Sequence, residues 1–356
     1  MELHKNLGLV ELTMAICDIE SVSGNESELA DQLEQLLSAA PHLKIIRDGN
    51  AVIAKTELGL KSRVIIAGHL DTVPVANNLP TQLHHFEREQ TIIGRGTVDM
   101  KGGVAVMLKL ALEITNPIND ITWIFYDNEE VAADLNGLGR IQRNHPELMR
   151  GDFAVLCEPT NALVEGGCNG TMRIELHTNG VKAHSARPWM GENAIHKLER
   201  ALGILNSYKP KTISVEGLDF RESLNAVLVR GGIATNVIPD QAVLTINYRF
   251  APDKDAAQAK AHLEEVFSEF EIRVTDMATG ARPGLNTPIA QAFLKSVGGD
   301  PKPKYGWTDV ARFSAAGIPA VNYGPGDPSL AHADNENVPV GQLFDCEIGL
   351  RGWLTP

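Results

Sequence analysis

The sequence lacks the marks of several protein classes. Only four cysteines occur in 356 residues, Cys17, Cys157, Cys168 and Cys346, and none stands in CxxC spacing. A disulfide framework or a thiolate zinc cluster is therefore not expected, and buried, reduced thiols in a cytoplasmic protein are. Positive charge is also scarce: 32 Lys and Arg against 45 Asp and Glu leave a formal charge of −13. Such a surface repels phosphate backbones, so no nucleic acid partner is expected. No run approaches the ~18 consecutive apolar residues of a membrane helix, which argues against membrane association. The N-terminal stretch lacks the basic, apolar and small-residue succession of a signal peptide. Low-complexity tracts and 20–50-residue repeats are missing as well. What remains, 43% hydrophobic and 22% charged residues, describes a globular chain long enough for two domains.

Leu9, Leu12, Ile16 and Ile19 share one helical face, and Leu29, Leu33, Leu36 and Leu37 mark a second helix capped by Asn25 or Ser27. Short apolar runs at 43–49, 51–56, 63–70, 121–127 and 153–158 read as strands, with a helix over 102–114 among them. This alternation predicts an α/β fold, a mostly parallel sheet with helices on both faces and polar residues gathered at the strand ends. Near residue 170 the pattern changes. Strand, helix, two strands, helix and strand follow over 171–277, the order of an inserted α+β split-βαβ, ferredoxin-like unit. After 282–284 the α/β pattern resumes with a helix at 308–316, a strand at 318–324 and a C-terminal helix. The expectation is a discontinuous catalytic domain, 1–170 and 284–356, interrupted by a domain at 171–283.

Chemistry gathers at the strand ends. His69 and Asp71 stand two apart after an apolar strand, which suits a metal-binding imidazole held by a carboxylate; a hydrogen-bonded histidine without metal is the plainer alternative for an isolated pair. About thirty residues on, Asp99 follows a glycine-rich stretch and precedes a helix. The strand at 121–127 runs into Asn128-Glu129-Glu130, another strand ends at Glu158, and His332 lies beyond the last inner strand. Five oxygen and nitrogen donors without thiolate suit two zinc-like ions. The charges agree: two ions carry +4, and Asp99, Glu130, Glu158 and a bridging hydroxide carry −4, with His69 and His332 neutral. Glu129 is left over, and a spare carboxylate beside metal-activated water is what a general base requires. His84-His85 sits in a polar stretch and reads as solvated surface.

HLDTVP (69–74), GRGTVDMKGG (94–103), DNEEV (127–131), CEPT (157–160), KAHSARPWMGENAI (182–195), TNVIPD (235–240) and LAHADNE (330–336) together resemble the co-catalytic dizinc amidohydrolase superfamily of desuccinylases, acetylornithine deacetylases, aminoacylases and carboxypeptidases. The resemblance spans nearly the whole chain. It implies two Zn2+ per subunit, replaceable by Co2+, with Asp99 bridging, His69 and Glu158 on one ion, and Glu130 and His332 on the other. Asp71 would orient His69, and Glu129 would act as base and acid. His184 matches the position that in dimeric relatives enters the partner's site to stabilise the oxyanion, which implies a homodimer formed through the inserted domain.

The stretches at 167–173, 305–313 and 322–336 look most like the desuccinylases of high-GC Gram-positive bacteria. The implied reaction is hydrolysis of N-succinyl-LL-2,6-diaminopimelate to succinate and diaminopimelate, in lysine and peptidoglycan precursor synthesis. Acetylornithine deacetylation or another N-acyl-amino-acid deacylase or carboxypeptidase activity is the alternative within the superfamily, and a non-catalytic binding role the alternative outside it. A small diacid substrate needs cationic partners, so Arg249 and Arg187 are candidates to clamp carboxylates. Asn236, Thr308 and Gly324 are candidates for further polar contacts.

Overall fold

The computed structural model describes residues 3–86 and 89–356. Its chain forms two compact units, 1–166 with 283–302 and 312–356, and 167–282 with 303–311. The sequence reading gives 303–311 to the catalytic domain, whereas this stretch groups with the second unit. Backbone bonding accounts for the difference, because the Asn169 N–H donates to the Lys304 carbonyl at 3.1 Å and the Trp307 indole donates to the Thr279 carbonyl at 3.1 Å.

The first unit is organised by a mixed eight-stranded sheet. Its centre is four adjacent parallel strands, Asp120–Tyr126, Arg63–His69, Phe153–Leu156 and Ala320–Asn322. Antiparallel strands Ala51–Lys55 and Lys44–Asp48 flank one side. The sheet is thus parallel at its centre and antiparallel toward its margin. Strand Asp120–Tyr126 is buried throughout and Arg63–His69 is buried beyond its first residue. That explains their continuous apolar runs in place of alternation. Because the four strands run the same way, the residues that follow Tyr126, His69, Leu156 and Asn322 all emerge at one edge.

Helix Lys101–Glu113 packs against strand Arg63–His69. A Cβ at Gly103 would lie 2.1 Å from the Cys157 carbonyl oxygen, so only glycine lets the helix start so close to the strand end that carries Glu158. Helices Pro288–Val297 and Val340–Leu354 bring Phe293 and Trp353 against Phe153, with ring centroids 5.0 to 5.8 Å apart. Truncating one of these buried rings to alanine costs about 3–5 kcal/mol. A separate three-stranded sheet joins Gln82–Phe86, Glu89–Ile93 and Asn337–Pro339. The stretch read as solvated around His84-His85 is therefore a strand, with His84 opposite Thr91 and His85 opposite Gln90.

In the second unit the antiparallel strands Ser223–Gly231, Gln241–Phe250, Gly170–Asn179 and Ile272–Ala278 lie in that spatial order. Helices Glu199–Ser207 and Ala256–Val266 complete the β-α-β-β-α-β succession. Met172, Ile174 and Leu176 alternate along one strand and Leu244, Ile246, Tyr248 and Phe250 along its neighbour. They form one core with Leu198, Ala201, Ala259, Leu263 and Phe267. An Asp255–Gln258 capping box starts the second helix. A short 3-10 turn, His196–Leu198, leads into the first of these helices.

Candidate metal centre

The parallel strand ends deliver their polar residues to one place. Ligand atoms of His69, Asp99 and Glu158 lie within 4.8 Å of one another, and so do those of Asp99, Glu130 and His332. Asp99 belongs to both groups. Its Oδ1 is 3.1 Å from His69 Nε2 and its Oδ2 is 3.4 Å from His332 Nε2, so each carboxylate oxygen faces a different imidazole. His332 Nε2 is also 3.0 Å from Glu130 Oε1. Glu129 groups with His69 and Glu130 only. The five expected donors thus come together around one shared carboxylate.

The surroundings are strongly electrostatic. Burial by itself would lower the His69 pKa, but hydrogen bonds to Asp71 and Asp99 hold it well above its ordinary value. A hydrogen bond to the Asp99 carboxylate raises His332 to about 9. Desolvation pushes Asp99 up, yet the two histidines hold it well below the carboxylate range. Glu130 is raised by its own burial and by the Asp99 charge. Two imidazoles thus share protons with clustered acids, and such a donor set binds divalent ions as the protons leave. The residues fit a pair of such ions.

Asp71 is the organiser beneath. It is fully buried, and Oδ1 and Oδ2 accept the backbone N–H groups of Glu129 and Glu130 at 2.9 and 3.0 Å. Oδ2 also accepts the Ser23 hydroxyl at 2.7 Å, and Oδ1 lies 3.4 Å from His69 Nδ1. Burial opposes ionisation, but the His69 hydrogen bond and these amides bring Asp71 down to about 2. His69 Nδ1 is closer still to the Asp71 carbonyl, at 3.0 Å. Sequence reading anticipates the Asp71–His69 contact but not the hold on the 129–130 turn. Asn128 enters that turn at φ 58, and His332 stands at φ 66, two left-handed residues beside the ligands.

Other residues support the site from behind. Glu26, fully buried, accepts the Asn128 N–H at 3.3 Å and the Gly24 N–H at 2.7 Å. Arg140 clamps Asp127 with contacts of 2.7 and 3.1 Å. Buried Lys101, lowered to about 8 by desolvation, donates to the Ile19 carbonyl at 2.7 Å.

The remaining candidates divide between the units. His184, Arg187, Asn236, Arg249 and Thr308 belong to the second unit and Gly324 to the first. His184 pairs with Val237, and the Ser185 N–H donates to the Asn236 carbonyl at 2.9 Å, so His184, Arg187 and Asn236 share one exposed corner. His184 Nδ1 accepts the Ala186 N–H at 3.0 Å, which places the proton of a neutral ring on the outward Nε2. Arg249 lies opposite Thr171 in the sheet. Its pKa is lowered by burial and then by the neighbouring Arg173 charge. Gly324 needs a correction. Its N–H donates to Thr160 Oγ1 at 3.1 Å and its carbonyl accepts from Thr160 and Ala162, so its backbone is not free to contact a substrate. A Cβ there would lie 2.6 Å from the Glu158 carbonyl oxygen, and the glycine serves close packing behind that ligand.

Residues 65–352 match the model of peptidase family M20/M25/M40. The chain belongs to this family. As an M20/M25/M40 member it is 52% identical over 348 residues to a Mycobacterium tuberculosis protein provisionally named succinyl-diaminopimelate desuccinylase, with 97% of each chain covered. It is 43% identical over 357 residues to the succinyl-diaminopimelate desuccinylase of Corynebacterium glutamicum, covering 97% of this chain and 96% of that one. Among solved structures it shares its fold with a Bacillus subtilis dinuclear metal-binding peptidase of the M20 family. That match has a TM-score of 0.71 at 16% identity, over 97% of this chain and 96% of the other. No helix among the described residues is long and apolar enough to cross a membrane.

Proposed function

We propose that the protein is a zinc-dependent amidohydrolase that cleaves N-succinyl-LL-2,6-diaminopimelate into succinate and LL-2,6-diaminopimelate, in lysine and peptidoglycan precursor synthesis. The observation that carries the reading is the five-donor cluster around Asp99, in a chain with full-length likeness to two desuccinylases. His69, Asp99 and Glu158 would hold one Zn2+, and Asp99, Glu130 and His332 the other, with Co2+ as a working substitute. When bound, the ions polarise the acyl carbonyl and acidify water. The protein's own groups do the rest. Glu129, whose main chain is pinned by Asp71, takes a proton from the attacking water on its carboxylate and passes it to the departing amine nitrogen. Asp71 keeps the His69 ring and the 129–130 turn in place.

In this reading the chain works as a homodimer joined through the inserted unit, and His184 of one chain directs its Nε2–H at the oxyanion in the other's site. Support comes from the edge strand Ser223–Gly231, which leaves Val227, Leu228 and Val229 exposed. An apolar strand on an unpaired edge is a surface that another chain covers. Arg249, Arg187, Asn236 and Thr308 would contact the substrate's carboxylates and amides. Four buried, unpaired thiols fit a cytoplasmic location. The test is turnover of succinyl-diaminopimelate, acetylornithine and a dipeptide panel by the zinc-loaded protein, with succinyl-diaminopimelate expected to give the highest kcat/KM. Preference for acetylornithine or a dipeptide would move the assignment to a deacetylase or carboxypeptidase.

A further inference from the structure

A second buried carboxylate, Glu336, makes the same kind of grip as Asp71. Glu336 is fully buried, and its Oε1 accepts the backbone N–H groups of Val98 at 2.9 Å and Asp99 at 3.0 Å. Its Oε2 lies 2.9 Å from the guanidinium of Arg95, itself buried. Both oxygens are therefore spent on protein donors, so Glu336 is not a ligand for a cation. Arg95 reaches further, donating to the Ala333 carbonyl at 3.2 Å and the Pro74 carbonyl at 3.2 Å. The Gly94 N–H closes the loop by donating to the Glu336 carbonyl at 2.9 Å. Five hydrogen bonds thus join the segment carrying Asp99 to the segment carrying His332.

The regular sheet places His69 directly, because it is the last residue of a central strand, and Glu158 follows Leu156 by two. Asp99 and His332 have no such support. One precedes a helix, and the other lies in a loop after a short 3-10 turn. We propose that Glu336, locked by Arg95, is a positioning residue that sets the main chain of Asp99 and fixes its separation from His332. It thereby governs the ion held by Asp99, Glu130 and His332 more than the ion held by His69, Asp99 and Glu158. This rests on the two-ion reading above.

The experiment is stepwise zinc titration of chelator-treated protein against a competing chelator, with the visible absorption of the Co2+-loaded protein as a second readout. Wild type should take up two ions, and His332→Ala identifies which step belongs to the His332 ion. Glu336→Gln keeps the side chain's size but breaks the ion pair. It should weaken that same step by about 10- to 100-fold, the usual effect of removing a partner behind the ligands, and the other step by no more than about three-fold. The absorption contributed by the second Co2+ equivalent should change accordingly. Arg95→Lys keeps the charge and loses the forked reach to Ala333 and Pro74, so it should shift the same step in the same direction by less; it decides the matter if Glu336→Gln does not fold. Unchanged steps in the folded variants, or equal weakening of both, would overturn the proposal, since a buried pair that only stabilises the fold does not separate the ions. A wild type that binds fewer than two ions would instead overturn the two-ion reading itself.

Discussion

The two units use their sheets in opposite ways. In the first, four parallel strands are buried, with His69, Glu130 and Glu158 at or just past their ends and Asp99 and His332 in loops beside them. In the second, the antiparallel strands bury one face against two helices, and an apolar edge strand remains exposed. The difference teaches where to look for chemistry and where for assembly. Candidate ligands gather where buried strands stop, and the proposed dimer contact lies where a strand has no neighbour.

The sharpest way to test that division is at the first unit's strand ends. Glu129→Gln should lower kcat by ~10²–10⁴ with both zinc ions retained, whereas Glu130→Gln should lose metal. Elemental analysis beside steady-state kinetics separates the two, and metal loss from Glu129→Gln alone would swap their roles. Next in size, His184→Ala in the second unit should cost ~10²–10³ in kcat with metal content unchanged. Mixed Glu129→Gln and His184→Ala chains should regain turnover once mass spectrometry shows that subunits have exchanged. Exchange without recovery would confine His184 to its own chain.

A smaller expected effect lies on the exposed edge. Val229→Lys should shift the sedimentation profile from dimer toward monomer while circular dichroism stays unchanged; an unaltered dimer would mean that the edge strand is not the contact. The smallest effect concerns the thiols. Burial lifts Cys17 to about 12 and Cys168 to about 11, so the thiolate fraction rises only as the pH nears those values. Iodoacetamide at pH 8 should label neither residue in the native protein, as peptide mass mapping would reveal.

Much of the candidate site was legible because acidic residues after continuous apolar strands are conspicuous. His69, Glu130 and Glu158 could be placed by that logic, and the second unit's β-α-β-β-α-β order followed from period-two and helical spacing. The three-stranded sheet escaped because Gln82, His84 and His85 are polar, which leaves little alternation around Leu83. Glu26 escaped for a different reason, and so did the roles of Arg95 and Glu336, although both stand inside the signature stretches at 94–103 and 330–336. A charged residue that is buried because distant backbone amides or a distant partner satisfy it looks, in sequence, like any solvated charge. Gly324 is a similar case, since its close approach to Glu158 depends on contacts more than 160 residues away.

The interruption of the first unit has a consequence for the protein as it is made. Strand Ala320–Asn322, which completes the parallel centre beside Phe153–Leu156, is translated only after the whole stretch 167–282. His332 follows later still, and helix Val340–Leu354 last of all. A ribosome that has released 300 residues has therefore delivered every strand of the second unit's four-stranded sheet, but a first unit with an open edge and four of the five proposed metal donors. The inserted unit can finish folding while its host waits. The candidate metal centre can close only after the inserted unit has been made.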